Sequence, residues 1–133
     1  MKLLYTSDLH GNSNQYELLF AEALNQNISD IVIGGDITPK KNPSPLAQKK
    51  FLTDEFLPLV HEYKSKMDLR LFIILGNDDW ACCEEAIRKD STCFLIHNNP
   101  VELSEKFNIV GYSYVPITPF ELKDWEKWDV ERM

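Results

Sequence analysis

The sequence Leu71-Phe72-Ile73-Ile74-Leu75-Gly76-Asn77-Asp78-Asp79 joins an apolar run to a glycine and three polar residues. The same junction occurs twice earlier, where residues 3–5 lead to Asp8-Leu9-His10-Gly11-Asn12 and residues 31–33 lead to Gly34-Gly35-Asp36. Apolar runs of this kind are typical of buried parallel strands. Open α/β sheets carry their active sites at the carboxyl ends of the strands, so we predict that the three polar motifs meet there. Asp, His and Asn side chains gathered at one edge offer oxygen and nitrogen ligands to a hard cation.

The length and composition suit one soluble domain over residues 1–133. The chain has 44% hydrophobic and 26% charged residues, which is enough apolar material for a core. No run approaches the ~18 apolar residues of a membrane span. The apolar start of the chain is too short for a secretory signal. We therefore expect a cytoplasmic protein without a membrane partner.

The net charge of −7 argues against non-specific binding to nucleic acid or to a membrane surface. A nuclease stays open, because bound cations would reverse the local field. The three cysteines are Cys82, Cys83 and Cys93. An odd count with an adjacent pair is typical of reduced thiols, and the absence of a CxxC spacing argues against a cysteine zinc site.

Hydrophobic periodicity predicts alternating strands and helices in the first two thirds of the chain. The predicted strands are residues 2–6, 30–34 and 70–75, and the predicted helices are residues 12–25, 44–66 with a kink or break at Pro58, and 80–89. Three short strand-like pieces follow at residues 93–96, 100–103 and 106–112. This order predicts an α/β fold with a mainly parallel sheet and flanking helices.

Each polar motif has a metal-binding and a structural interpretation. Asp8 and His10 are two residues apart, so both side chains can reach one metal ion; alternatively, Asp8 caps the following helix and His10 is a loop residue. Asp36 follows two glycines and can bridge two cations, or it is a turn aspartate bonded to its own backbone. Asn77 can offer a neutral carbonyl oxygen, or it is a helix cap or a left-handed turn residue. Of Asp78 and Asp79, one can be an acid near a substrate and the other a cap for the helix at Trp80.

The order Asp-x-His, Gly-Asp and Gly-Asn at three strand ends resembles the calcineurin-like metallophosphoesterase superfamily. These blocks cover roughly residues 5 to 80. The resemblance implies the N-terminal part of the αββα-type β-sandwich fold of that superfamily. It also implies hydrolysis of a phosphate ester, in which a dinuclear metal centre activates water for attack on phosphorus.

The resemblance also assigns roles to individual residues. Asp8 and His10 would bind the first metal, Asp36 would bridge both metals, and Asn77 would bind the second metal and a phosphate oxygen. Asp78 stands where the family usually has a histidine that protonates the leaving group, so Asp78 is a candidate for that role. The expected cofactors are two divalent ions from the group manganese, iron, zinc, nickel and magnesium.

The family takes three further histidine ligands from its C-terminal half. Here the other histidines are His61, in a predicted helix, and His97, at a predicted strand-end turn. We therefore expect an incomplete domain, equivalent to the N-terminal half of a phosphoesterase, with impaired turnover. Such a domain would expose a sheet edge and an apolar face, which predicts self-association or completion by a C-terminal half.

Two other functional classes compete with the enzyme. A non-catalytic scaffold could keep the fold and bind proteins through its surface. An unrelated doubly wound domain, such as a receiver or nucleotide-binding module, would lack a reason for the Asp-x-His and Gly-Asn motifs, and no GxGxxG or P-loop is present. Residues 111–129 form a loop rich in proline, aromatic and acidic residues, which either lines a substrate cleft or packs against a missing half.

Overall fold

The computed structural model describes residues 1–41 and 44–128, so positions 42, 43 and 129 of the predicted loops lie outside the described residues. Four parallel strands form one sheet in the order β1-β2-β3-β4. They are β1 (Leu4–Thr6), β2 (Asp30–Gly34), β3 (Arg70–Ile74) and β4 (Cys93–Leu95). The predicted α/β fold with a parallel sheet and flanking helices is confirmed.

Helix α1 (Ser13–Asn25) connects β1 to β2. The backbone N–H of Gln15 donates to the side chain of Asn12 at 3.2 Å, so Asn12 caps the helix. The alternative interpretation of Asp8 as the cap of this helix is therefore wrong. Tyr16, Phe20 and Ala23 are buried on the inner face of α1, in agreement with the predicted apolar stripe.

The predicted helix over residues 44–66 forms with a local change of winding. It consists of α2 (Pro45–Phe51), a π-helical segment (Leu52–Phe56) and α3 (Leu57–Lys64). Pro58 has no N–H to donate to the preceding turn, and a π-helical segment directly before it widens the helix. The sequence predicted a kink or break at Pro58. The structure shows a change of winding before this residue, and the helix continues through it.

The last third of the chain contains short elements. A 3₁₀ turn (Ala81–Cys83) and α4 (Glu84–Arg88) follow β3, and after β4 the strands β5 (Val101–Glu102) and β6 (Asn108–Ile109) pair antiparallel. The loop that follows is joined to itself by a bridge between Val115 and Glu126. The predicted strand-like pieces are therefore present but shorter than the sequence pattern indicated.

The two faces of the sheet are covered differently. Ile31, Ile33, Leu71 and Ile73 belong to a large core with α1, the π-helical segment, α3 and α4. Side chains of alternate residues point to the other face, where Val32 and Phe72 pack with residues of the β5–β6 hairpin. On that second face Tyr5 stays 65% exposed, so the hairpin covers only part of it.

None of the helices among the described residues combines the length and apolar character needed to cross a membrane.

Candidate metal centre

The loops after β1 and β2 are joined by backbone hydrogen bonds beyond the ends of the strands. The N–H groups of Asp8, His10 and Gly11 donate to carbonyl oxygens of residues 35–37 at 3.0, 2.9 and 2.8 Å respectively. The parallel pairing of the strands thus continues into the polar motifs. This pairing joins two segments about 30 residues apart in sequence. It brings Asp8 and His10 of the first segment close to Asp36 of the second.

Three residues of this edge have a left-handed backbone: Asp8 at φ 60°, His10 at φ 47° and Asp36 at φ 53°. In the described residues the other non-glycine positions of this kind are Asn27 and Asn98. Such a conformation costs on the order of 1–3 kcal/mol per residue and persists where surrounding contacts impose it. Strain concentrated in three adjacent polar residues is typical of a site that needs fixed side-chain directions.

The side chains of Asp8, His10 and Asp36 converge. Each offers a ligand atom, and these atoms lie within 4.8 Å of one another. His10 Nε2 is 4.0 Å from Asp8 Oδ1 and 4.0 Å from Asp36 Oδ2, too far for a direct hydrogen bond. Two ligand atoms on one divalent cation at ~2.1 Å lie at most ~4.2 Å apart, and both 4.0 Å separations from His10 are within that limit. We call these three residues the carboxylate cluster.

Asp36 can sit beside the loop after β3 only because glycines leave room for it. A Cβ atom on Gly76 would lie 2.2 Å from Asp36 Oδ1 and 2.4 Å from its backbone nitrogen. Gly35 has φ 105°, and a Cβ there would meet the backbone of Gly76 at 2.9 Å. The two glycines therefore permit the close approach of the β2 and β3 loops.

The alternative interpretation, in which the Asp36 side chain accepts hydrogen bonds from its own turn, is not what the structure shows. Its Oδ1 accepts a hydrogen bond from the backbone N–H of Asp78 at 2.9 Å, across 42 positions of sequence. Its side chain therefore connects the carboxylate cluster to the Gly-Asn-Asp-Asp motif. Asn77 is half-buried between two residues that touch Asp36, which places it next to the cluster.

Asp79 holds the same two loops together from the inside. It is fully buried, and its carboxylate accepts hydrogen bonds from the N–H groups of Ile37 (3.1 Å), Thr38 (3.0 Å) and Gly76 (2.9 Å). The hydroxyl of Thr38 donates to it as well, at 2.5 Å. The prediction that one of the two aspartates caps the helix at Trp80 is wrong for Asp79, because its oxygens are used by the neighbouring loop.

Gln48 supports the motif from helix α2. Its buried amide donates to the carbonyl of Asp78 at 2.8 Å and accepts from the N–H of Trp80 at 2.8 Å. Sequence reasoning missed the supporting roles of both Asp79 and Gln48. Asp79 is the fourth residue of the Gly-Asn-Asp-Asp motif, and that position could have indicated its supporting role. A glutamine within a predicted helix gives no such indication.

The electrostatics of the cluster favour a cation. Burial raises the pKa of Asp36 to about 6, although the hydrogen bond from the Asp78 N–H opposes this shift. The nearby carboxylates of Asp8, Asp79 and Asp78 raise the pKa of Asp36 further. Hydrogen bonding to Ser7 and Asp36 lowers the pKa of Asp8, with a smaller contribution from His10. Several carboxyl groups in one place make a site that a divalent ion would stabilise.

The remaining histidines lie elsewhere. His61 is exposed on α3 and forms a pair with Asp90. His97 follows β4, where its Nδ1 accepts the N–H of Ser113 at 2.9 Å, and its ring contacts Tyr112, Tyr114 and Trp125 with centroid distances of 5.9, 5.0 and 5.0 Å. We call these four residues the aromatic cluster. Neither histidine joins the one metal-type group found among the described residues.

The three cysteines are free, as predicted; Cys82 is exposed, whereas Cys83 and Cys93 are buried. Burial raises the pKa of the Cys83 thiol to about 12 and that of Cys93 further still. Neither buried thiol is therefore suited to be a nucleophile at neutral pH.

Comparison with known proteins agrees with the fold and with the geometry of the motifs. The family model described as calcineurin-like phosphoesterase matches residues 1–130, which is nearly the whole chain. No curated protein and no solved structure gives a significant match. The family of metal-dependent phosphoesterases that the three motifs resemble is therefore confirmed, and the chain belongs to the calcineurin-like phosphoesterase family.

Proposed function

We propose that this protein binds divalent cations through the carboxylate cluster and hydrolyses phosphate esters. The observation that carries the proposal is the convergence of Asp8, His10 and Asp36 at one edge of the sheet, each on a left-handed backbone. When bound, divalent cations activate water and neutralise the charge that develops on the phosphoryl group. The family membership supports the same chemistry.

The roles proposed for the individual residues are those that the family resemblance implies. Asp8 and His10 would hold one cation, and Asp36, which contacts both neighbouring loops, would hold it together with a second one beside Asn77. Asn77 contributes its amide oxygen or orients a phosphate oxygen. Asp78 supplies a proton to the leaving oxygen, which replaces the role of the histidine usual in the family. The dinuclear arrangement and the substrate type, monoester or diester, belong to this proposal.

A non-catalytic scaffold is the second candidate. It is favoured by the ligand set, because among the described residues the cluster contains a single histidine and Asp78 stands in the histidine position. The enzyme proposal predicts slow turnover for the same reason, unless a further chain completes the ligands. Self-association and a cytoplasmic location stay predictions.

Titration with Mn²⁺, followed by assays with p-nitrophenyl phosphate and bis-p-nitrophenyl phosphate, tests the proposal. We expect Mn²⁺ binding and Mn²⁺-dependent hydrolysis, both lost in Asp36→Asn. The matched control is Asp54→Asn, which changes an exposed aspartate in the π-helical segment. Binding without turnover would favour the scaffold, and absence of Mn²⁺ binding in the wild-type protein would overturn the proposed metal site.

A further inference from the structure

A cavity of about 550 Å³ adjoins the carboxylate cluster. Its walls come from three parts of the chain: Lys40 in the loop after β2, Asp78 and Trp80 after β3, and residues 119–122 (Pro119, Phe120, Glu121 and Leu122) in the C-terminal loop. Asp78 belongs to both regions, because its backbone N–H donates to Asp36 at 2.9 Å. A molecule in the cavity would therefore lie next to the group proposed to bind metal.

The outer wall of the cavity is a structured loop. The bridge between Val115 and Glu126 closes its base, and the N–H of Val115 donates to the carbonyl of Trp125 at 2.8 Å. Glu126 also accepts from the N–H and the hydroxyl of Thr118, at 3.0 and 2.5 Å. The backbone N–H of Ala81 donates to Asp124 at 2.9 Å, which ties this loop to the segment after β3.

The walls of the cavity combine apolar and charged groups. Aromatic and aliphatic surface comes from Trp80, Pro119, Phe120 and Leu122, and Phe120 is 57% exposed although Leu122 beside it is buried. A large ring left exposed on a concave site offers a surface on which a ligand can stack. Among the charged groups, Lys40 provides a cation, and Asp78 and Glu121 provide carboxyl groups.

We propose that this cavity binds the organic half of the substrate, and that this half is a flat aromatic or heteroaromatic group esterified to phosphate. The inference rests on the proposed function, because the phosphate must lie at the carboxylate cluster. A volume of about 550 Å³ holds one small molecule and falls within the usual range of ~300–1,000 Å³ for ligand sites. The net charge of −7 provides no general attraction for a nucleic-acid polymer, and the size of the cavity suits a small ester.

In the reaction, the oxygen of water forms a bond to phosphorus while the bond between phosphorus and the aromatic alcohol oxygen breaks. The alcohol leaves with one proton, and the phosphate product keeps the oxygen from water. Asp78 lines the cavity and its backbone N–H donates to Asp36, so its carboxyl group is a candidate to supply the proton to the leaving oxygen. The aromatic group contributes to substrate binding and not to the chemical step. We therefore expect that a substrate without it differs mainly in KM.

The binding test uses uncharged alcohols without any metal. We expect 1-naphthalenemethanol to bind at least about fivefold more tightly than decahydro-1-naphthalenemethanol, which has the same carbon skeleton without a flat ring. Phe120→Ala should remove this preference and Phe120→Tyr should keep it. Phe107→Ala, at a phenylalanine that is 61% exposed beside the β5–β6 hairpin, is the matched control and should change neither affinity.

The kinetic test compares 1-naphthalenemethyl phosphate with decahydro-1-naphthalenemethyl phosphate in the presence of Mn²⁺. Both release a primary alcohol, so differences in kcat/KM report recognition and not leaving-group chemistry. We expect an advantage of roughly tenfold for the aromatic ester, mainly in KM, and its loss in Phe120→Ala.

The two proposals can fail separately. Equal binding of the two alcohols, or an equal effect of Phe120→Ala on both, would overturn the aromatic site. Selective binding of the aromatic alcohol without Mn²⁺ binding or turnover would support the aromatic site and overturn the proposed function. Turnover of both esters with equal kcat/KM would support the proposed function and overturn the aromatic site.

Discussion

His10 and His97 both follow strands of the same parallel sheet, yet their surroundings differ completely. His10 lies in the carboxylate cluster with its Nε2 facing Asp8 and Asp36. The ring of His97 lies among Tyr112, Tyr114 and Trp125 in the aromatic cluster. A position after a strand is therefore not enough to make a histidine a candidate metal ligand. The side chains that the neighbouring loops place around the histidine determine whether it can be one.

The two clusters also differ in how their polar groups are paired. In the loops that support the carboxylate cluster, Asp79 accepts bonds from three backbone N–H groups and one hydroxyl. In the aromatic cluster, packed rings surround His97, and its Nδ1 also accepts the N–H of Ser113. Buried polar atoms without a hydrogen-bond partner among the described residues occur at both places, namely His10 Nδ1, the Ser113 hydroxyl and the Trp125 indole nitrogen. We infer that hydrogen bonds to Asp79 hold the loops of the first cluster, whereas ring packing contributes more to the second.

The strongest test of this difference is Asp79→Ala. The substitution leaves buried N–H groups on both loops without an acceptor, at ~1–3 kcal/mol for each such group. We expect the free energy of unfolding to fall by on the order of 3 kcal/mol, measured by urea denaturation. Asp54→Ala, in an exposed helical position, is the control. Equal unfolding midpoints for the two variants would contradict the supporting role of Asp79.

The next test exchanges the two histidines for alanine. His10→Ala removes a proposed ligand, so Mn²⁺ affinity measured by calorimetry should fall by roughly tenfold or more. His97→Ala removes ring contacts and the acceptor of the Ser113 N–H, both remote from the carboxylate cluster, so it should lower thermal stability and keep the Mn²⁺ affinity within about twofold. A similar loss of Mn²⁺ affinity in both variants would remove the distinction between the clusters.

A third test uses pH and Asp36→Asn in the metal-free protein. The pKa of Asp36 is raised to about 6, above its ordinary value of 3.8, so folding disfavours the charged form. Stability of the wild-type protein should therefore decline as pH rises from about 4 to about 6, relative to Asp36→Asn. We expect the difference in melting temperature to grow over this window and to level off above it. A difference independent of pH would show that the carboxyl group titrates normally.

The smallest expected effect is that of Ser113→Ala. The buried hydroxyl has no partner among the described residues, so its removal takes away an unsatisfied group and no hydrogen bond. We expect the free energy of unfolding to stay equal or to rise by up to about 1 kcal/mol. A clear loss of stability in urea denaturation would show that this hydroxyl is bonded in solution.

Much of the fold could be predicted because its signals are local. The apolar runs before the three motifs predicted β1, β2 and β3. The short strands after β4 were harder, because residues such as Val101 and Ile109 pair only where the hairpin meets the second face of the sheet. Their sequence pattern was longer than the paired segments.

The sequence predicted that three polar residues meet at one edge of the sheet, and it predicted less about the residues that support them. Asp8, His10 and Asp36 were selected by their place after strands, and the structure brings them together. Asp79 and Gln48 were missed or misassigned, because their partners lie about 30–40 positions away in sequence. Hydrogen bonds over such separations leave no local pattern to read.

The sequence by itself determined the strand-to-loop junctions, the family and the acidic set of candidate ligands. Residue type and its position after an apolar run are local properties, and they were sufficient for these conclusions. Only the tertiary structure decided that the Asp36 carboxylate lies in the carboxylate cluster, whereas that of Asp79 accepts hydrogen bonds from the backbone. The tertiary structure also decided that His97 lies among aromatic rings and that Phe120 borders a cavity beside Asp78. Those outcomes depend on which groups the folded chain brings within hydrogen-bond or packing distance, and that is set by segments remote in sequence.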